Sequence, residues 1–475
     1  MKPFNRVSEA DLAYFESVLP GRVFSSDAIS TDYDHDEMPI YGHYAPEAVL
    51  QAQSAEEISA VLHYCNGRNI AVTPRGAGTG LCGGCVAMEG GVVLSTERMK
   101  RVLEVDTRNM TATVEPGVLL MEFSKALEGT GLFYPPDPGE KTATMGGNAM
   151  TNAGGMRAVR YGVTRDYVLG MEVALANGEI LTLGGKNVKT SSGYSLINLM
   201  VGSEGTLGIL TKLTVKLIPE PKANVSLLIP FEHLEACIEA VPEVLACGCE
   251  PTAVEFMERE VIACSETYLG KQFPDTSWDA YLLVRLDGAS AESLQPMIER
   301  LTDVALGLGA QDVLLADTDE RKESIWNARG AFLEAIKGST PTMDECDVVV
   351  PRDRIAAFVK RGVDIGREEG VRICSFGHAG DGNLHLYICQ DGLKDAVWTD
   401  VAKRVMGRLY AHARELGGEV SGEHGIGHAK RVFLAESMGQ RQISLMRGIK
   451  AAFDPNGILN PGKVVLSNSD VFSDR

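Results

Sequence analysis

The chain has 475 residues, is 44% hydrophobic and 23% charged, and carries a formal net charge of -19. That length exceeds what one hydrophobic core organises, so two or three domains able to bury a large cofactor are expected, while the negative balance works against nucleic acid and anionic lipid as partners. The N-terminal MKPFNRVSEADLAYFESVLPG lacks the apolar stretch of a signal peptide, and no later run reaches the roughly 18 apolar residues of a membrane span, so a cytoplasmic protein with no membrane span is expected.

Helix periodicity is read over Glu9 to Val18 and again over Ala55 to Asn66, the latter followed by a short strand from Ile70 to Pro74. The loop PRGAGTGLCGGC then runs from Pro74 to Cys85, and its glycine density lets several backbone N–H groups converge on one anion, as in phosphate nests. It is neither a Rossmann fingerprint nor a Walker loop. Short β-rich runs follow, with a helix from Leu119 to Leu127 and a hairpin turn at Asn177-Gly178. Two more glycine-dense stretches, from Met145 and from Val201, lie among them, and a dinucleotide threaded between two lobes would use all three.

Pro219 and Pro221 interrupt the pattern where a domain boundary is expected, giving a first domain over 1–220 and a second over 221–420. The second alternates strands (VSLLIPF, TAVEFM, YLLVRLDG, VRICSFG) with helical stretches and reads as an α+β layer. The Gly/Pro/Asn-rich close of the segment 421–475 is expected to return to the first domain. Ten dispersed cysteines do not resemble a disulfide framework, and most are read as reduced, buried residues. Cys82 and Cys85 form a CxxC that could serve redox or metal chemistry, or simply pack beside a cofactor.

In SFGHAGDGNLHLYI, Arg372 to Phe376 and Leu384 to Ile388 alternate as strands about a Gly-rich reversal that brings His378 and His385 together. A lone histidine pair is as well explained by a structural hairpin as by a metal site. EVSGEHGIGHAKR offers a third ligand in Glu423, beside His424. Two histidines and a carboxylate suit zinc, iron or manganese with positions open to substrate.

The loops PRGxGTGLxGG, GGNxxTNAGG and GSEGTLGI together resemble the FAD domain of the vanillyl-alcohol oxidase family. FGHAGDGNLH and SGEHGIG resemble its branch of D-lactate, glycolate and D-2-hydroxyglutarate dehydrogenases. The resemblance implies an α+β fold: a two-lobed FAD-binding domain plus an α+β substrate (cap) domain with an antiparallel sheet. It implies that Pro74, Arg75, Gly76, Ala77, Gly78, Thr79 and Gly80 hold the FAD pyrophosphate. Pro138, Thr144, Gly147, Asn152, Gly155, Gly162 and Val163 would line the flavin, Glu204 and Ile209 the adenosine half, and Asn460 would close over the ring. Relatives with covalent FAD often present a histidine in the first glycine turn. Here that turn has none, so non-covalent FAD is expected, with a cysteinyl-flavin bond as the alternative.

The same resemblance assigns His378, His385 and Glu423 as metal ligands, His424 as general base and Arg329 as the substrate-carboxylate arginine. Asp381 and Asn383 would orient the ligands. The implied reaction is oxidation of a small 2-hydroxy acid, D-lactate first, to the 2-oxo acid; a glycolate oxidase FAD subunit and a D-2-hydroxyglutarate dehydrogenase are the alternatives. The acidic residues Asp344, Glu345 and Asp347 favour a monocarboxylate. No nicotinamide, haem or iron–sulfur motif is found, so electrons are expected to pass to an electron-transfer flavoprotein or an iron–sulfur subunit. A flavin-binding subunit without catalysis and a non-redox ether-lipid synthase are readings of other classes.

Overall fold

The structure, a computed structural model, describes residues 3–465. These divide into two compact units, one of residues 3–153, 163–220 and 423–465 and one of 154–162 and 221–422. Residues 466–475 of the expected C-terminal segment lie outside the described residues.

The first unit opens with the helix Glu9–Val18, started by a capping box in which Ser8 and Asp11 satisfy each other's backbone N–H. Four strands, β1 (Val23–Ser25), β2 (Ala48–Gln51), β3 (Val72–Arg75) and β4 (Val92–Ser95), form a sheet ordered β1-β2-β4-β3. Pairing of β2 and β3 with β4 is parallel, as the intervening helix Ala55–Arg68 requires. Ser54 caps that helix, and Asn69 ends it in the left-handed conformation. The apolar stripe Ile58, Val61, Leu62 and Cys65 packs with Leu50, Val72 and Leu94 of the sheet into one core.

A second, antiparallel sheet of order β5-β6-β10-β8-β9 uses β5 (Val102–Asp106), β6 (Thr111–Val114), β8 (Val168–Ala174), β9 (Ile180–Gly184) and β10 (Ile209–Lys216). Two short strands, β7 (Leu132–Phe133) and β11 (Ile218–Pro219), pair separately. The chain returns to this unit at its end. Val72 N donates to Ile458 O and Asn460 N donates to Val72 O, so residues 458–460 extend the first sheet beside β3.

The second unit is built on one antiparallel sheet of seven strands, β12 (Ala223–Phe231), β13 (Ala253–Glu258), β14 (Ala280–Gly288), β15 (Leu314–Ala316), β16 (Met343–Val349), β17 (Arg372–His378) and β18 (Asn383–Cys389). Their order is β15-β12-β14-β13-β17-β18-β16. Two helical stretches are each divided, and an acidic run forms a strand. HLEACIEAVPEVLAC forms two helices, Leu234–Glu239 and Val241–Ala246, because Pro242 fits only the first turn of a new helix. ERKESIWNARGAFLEAIK likewise divides into Asp319–Gly330 and Phe332–Lys337. MDECDVV is strand β16, although acidic residues disfavour strands; pairing along its whole length with β18 overrides that local preference.

Candidate active site

Sheet register decides what meets what in the second unit. Strands β17 and β18 pair with Phe376 opposite His385 and His378 opposite Asn383, so the two histidines sit diagonally on one face. Their rings are 5.4 Å apart, edge to face. Gly382, at φ +89°, closes the turn between the strands, where a Cβ would lie 2.2 Å from Val350 O. The opposite face of the hairpin is mainly apolar, apart from Ser375, which bonds Glu258. Leu386 there abuts Gly362 of the helix Ile355–Glu369, which also lies beside Leu409 of the helix Asp395–Glu415.

On the histidine face each imidazole turns Nδ1 toward a carboxylate from the neighbouring strand. β13 pairs with β17 through Phe256–Gly377 and Met257–Phe376, which brings Glu255 opposite His378. His378 Nδ1 lies 2.8 and 2.9 Å from the two Glu255 oxygens. On the other side Asp347 of β16 is paired with His385, whose Nδ1 is 3.5 Å from Glu345 Oε1 and 3.9 Å from Asp347 Oδ1. Glu345 also accepts from Tyr387 Oη at 2.7 Å. Glu255, Glu345 and Asp347 are all buried, at 0%, 2% and 0% exposure.

Arg329, at the end of the helix Asp319–Gly330, reaches the same face. Its Nε and Nη2 donate to Glu255 Oε2 at 3.0 and 2.6 Å, and its guanidinium stacks on Phe376, 4.5 Å from the ring centroid. Burial alone would raise the Glu255 carboxyl, but His378 and Arg329 hold it below its ordinary value. Three buried carboxylates therefore face one guanidinium and two imidazoles. Two imidazoles with carboxylates beside them, one hydrogen-bonded to His378 and two within 3.9 Å of His385, are a donor set a divalent cation takes, so these residues fit a metal.

Asp347 also anchors the end of the unit. Its Oδ1 accepts from Asn383 Nδ2 at 2.7 Å and from Gly422 N at 3.2 Å, and its Oδ2 from Ser421 Oγ at 2.8 Å. Asn383 thus holds Asp347, the strand partner of His385, which in turn accepts from the backbone of Gly422, while Asp381 accepts from Asn383 N within the turn. Glu423 and His424 follow Gly422 directly in the chain, as the first residues of the returning segment of the other unit; there His424 Nε2 lies 3.6 Å from Glu423 Oε1.

In the first unit the three glycine-dense stretches are joined. Pro74 and Arg75 end β3, and Gly76, Ala77, Gly78, Thr79 and Gly80 form the turn beyond it. The Arg75 guanidinium is bound to Asp32 O, His35 O and Cys85 Sγ, which leaves the backbone as the part of this turn suited to an anion. Gly76 abuts Thr144, the N-cap of the helix Met145–Thr151, whose Oγ1 accepts from Gly147 N at 3.0 Å. Asn152 ends that helix at φ +55° and accepts from Arg165 N. Pro138 O accepts from Lys141, and Val163 N donates to Asp166. Gly155 and Gly162 fall in the second unit.

Glu204, at φ +52°, accepts from Ile426 N and Gly427 N at 2.7 Å each, and burial raises its carboxyl against the pull of those two donors. Asn460 Nδ2 donates to Gly84 O and Glu204 O at 2.8 and 2.7 Å, while Ile209 begins β10 opposite Ala174. Asn148 Nδ2, Ser203 Oγ and Asn460 Oδ1 are buried with no hydrogen-bond partner among the described residues. Proteins in general leave few buried polar atoms without a partner, so these three fit a cradle completed by a polar cofactor. Cys82 and Cys85 are free thiols; Cys82 Sγ donates to Gly425 O, and burial raises the Cys85 thiol.

Sequence reasoning missed Glu255 and Tyr387, and read Glu345 and Asp347 as a substrate-selective acidic run. The signal for Glu255 was present: a lone acid inside the apolar run AVEFM.

Comparison with known proteins follows the same division. A family model described as FAD binding domain matches residues 46–184, and one described as FAD linked oxidases, C-terminal domain, matches 220–464. The chain is 50% identical to a D-lactate dehydrogenase of Anaerostipes hadrus, covering 97% of this chain and 98% of that one. It is 41% identical to glycolate oxidase subunit GlcD of Bacillus subtilis (strain 168), covering 91% of each. Among solved structures it resembles 4-ethylphenol oxidase from Gulosibacter chungangensis (TM-score 0.79, 22% identity, 98% and 99% covered). It also resembles an alkyldihydroxyacetonephosphate synthase (TM-score 0.75, 19% identity, 97% and 87% covered); at these identities the likeness is one of fold. No helix among the described residues is long and apolar enough to cross a membrane.

Proposed function

The chain belongs to the FAD linked oxidases, and from that premise we propose that this FAD-dependent oxidoreductase converts a small 2-hydroxy acid, D-lactate first, to the 2-oxo acid. The observation that carries the reading is the histidine pair, His378 hydrogen-bonded to Glu255 and His385 beside Glu345, on the same sheet face as Arg329. In this reading His378, His385 and Glu423 hold a divalent metal: zinc, iron or manganese. Glu423 is reachable because Gly422, one residue or about 3.8 Å of chain before it, is tied to the strand partner of His385.

Bound FAD supplies a hydride acceptor and the metal supplies Lewis-acid polarisation of the hydroxyl. Arg329 binds the substrate carboxylate through the part of its fork not directed at Glu255. His424 takes the hydroxyl proton as C2 gives up hydride, leaving a carbonyl at C2. The two electrons then pass to a separate acceptor, an electron-transfer flavoprotein or an iron–sulfur subunit. FAD is held without a covalent bond by the backbone of Gly76 to Gly80, with Pro138, Thr144, Gly147, Asn152, Gly155, Gly162 and Val163 along the flavin. Glu204 and Ile209 would flank the adenosine half, and Asn460 would lie over the ring.

Glycolate is the second reading, favoured by the GlcD relative. 2-Hydroxyglutarate is disfavoured, because a second carboxylate would meet the buried Glu255, Glu345 and Asp347. Anaerobic flavin bleaching with D- and L-lactate, glycolate and 2-hydroxyglutarate, before and after chelation and metal add-back, tests the reading. D-Lactate should bleach fastest, and only with metal. Full metal content and bleaching rate in His378→Ala and Glu423→Ala would overturn the site. Failure of an electron-transfer flavoprotein and of an iron–sulfur partner to speed flavin reoxidation would overturn the acceptor.

A further inference from the structure

Glu255 is positioned to serve two parts of this site at once. It projects from β13 opposite His378, fully buried, 123 residues from His378 and 74 from Arg329 in sequence. Both of its oxygens approach His378 Nδ1, and Oε2 also accepts two N–H bonds from Arg329. A carboxylate can only accept here, so the proton of His378 is held on Nδ1, and in the neutral ring the lone pair lies on Nε2. The same oxygen fixes the plane of the Arg329 fork against Phe376.

We infer that Glu255 is a positioning residue that sets the metal-ligating tautomer of His378 and the orientation of the substrate-binding Arg329 through one shared carboxylate, an inference that rests on the reading of His378 and Arg329 given above. Metal affinity and substrate affinity are thereby tied to one side chain that need touch neither ligand. An amide cannot replace it. With its oxygen toward Arg329, glutamine presents NH2 to His378 Nδ1 and drives the ring proton onto Nε2, the ligating atom; turned over, it presents NH2 to the donors of Arg329.

The test compares Glu255→Gln, Glu255→Asp, Arg329→Met and His378→Ala holoproteins, reading zinc affinity by competition with a chromophoric chelator and the KM and kcat for D-lactate with an artificial dye. Glu255→Gln should lose about 10–100-fold in zinc affinity, the range for partners behind a metal-bound histidine, and should also raise KM. Glu255→Asp should recover part of both. Arg329→Met should raise KM and keep parental zinc affinity. If Glu255→Gln fails to fold, as judged by lost FAD, the comparison is Glu255→Gln/Arg329→Met against Arg329→Met, which leaves no unpaired buried charge, and zinc affinity should still fall. Parental zinc affinity and KM in Glu255→Gln, with zinc lost from His378→Ala, would overturn this inference alone. Zinc retained by His378→Ala would overturn the metal reading itself.

Discussion

Gly76 and Thr144 provide a sharp test of how the glycine stretches are joined. A Cβ on Gly76 would lie 2.5 Å from Thr144 Oγ1 but 3.5 Å from Thr144 Cβ, an ordinary contact. The only atom in the way is therefore the hydroxyl that caps the helix Met145–Thr151 through Gly147 N. Thr144→Ala should cost the cap, about 1 kcal/mol within a range of roughly 0.5–2. Gly76→Ala should cost at least as much, because the new methyl expels the same hydroxyl. Once Thr144 is alanine, however, the methyl meets nothing closer than ordinary contact and should add almost nothing. The double variant should thus be about 1 kcal/mol more stable than the sum of the singles predicts. Thermal unfolding of the four proteins measures this, and bound FAD per chain should follow the same pattern. Additivity within about 0.3–0.5 kcal/mol would refute the geometry of this junction.

Three further outcomes are expected. Asp36 accepts from Met38 N and Gly83 N, and burial pushes its carboxyl up to about 6 from 3.8. The folded state therefore holds the proton more tightly than the unfolded state, and this group favours folding most below pH 3.8. That contribution is lost as pH rises to about 6, by about 3 kcal/mol. The stability difference between the parent and Asp36→Asn, followed by denaturant unfolding from pH 7 to 4, should change with that slope, and a flat difference would contradict it. Glu204→Gln replaces one acceptor with a donor facing a backbone N–H, so hydrogen exchange at Ile426 and Gly427 should accelerate and FAD retention fall. Cys82→Ser and Cys85→Ser should keep FAD and turnover, since both thiols pack against protein partners; loss of flavin absorbance at 450 nm in either would reopen a cofactor role.

Much of the architecture was legible because it is local. The Ser8 and Ser54 caps start the two helices at the expected residues Glu9 and Ala55, and period-two alternation marks the β17–β18 hairpin. The α+β fold with a vanillyl-alcohol oxidase type FAD-binding domain is the one found. The side chains behind the histidines were not legible, because their meaning depends on register between strands far apart in sequence. Glu255 reads as one acid in an apolar run until β13 is laid beside β17. Glu345 and Asp347 look like an exposed acidic stretch until β16 pairs with β18 and turns both inward. The place of the Arg75 guanidinium was likewise not legible: a cation beside a phosphate loop invites an anion, but its fork is taken by the carbonyls of Asp32 and His35.

The inward acids bear on the divalent metal proposed for this face. Glu255 is bound by Arg329, Glu345 accepts from Tyr387 and Asp347 from Asn383, and His385 lies within 3.5 and 3.9 Å of the latter two carboxylates. Protonating both imidazoles would balance the charge but would remove the lone pairs that make them ligands, whereas a divalent ion balances it and uses them. With a divalent ion bound as proposed, chelation removes a stabilising ligand of the folded second unit, worth about 2.7 kcal/mol when free metal stands at 100 times its Kd. Hydrogen exchange should then quicken in β13, β16, β17 and β18 on chelation and recover when metal is returned. Exchange in these four strands that is indifferent to chelator, in protein shown by elemental analysis to have lost metal, would mean that their charge is balanced without one.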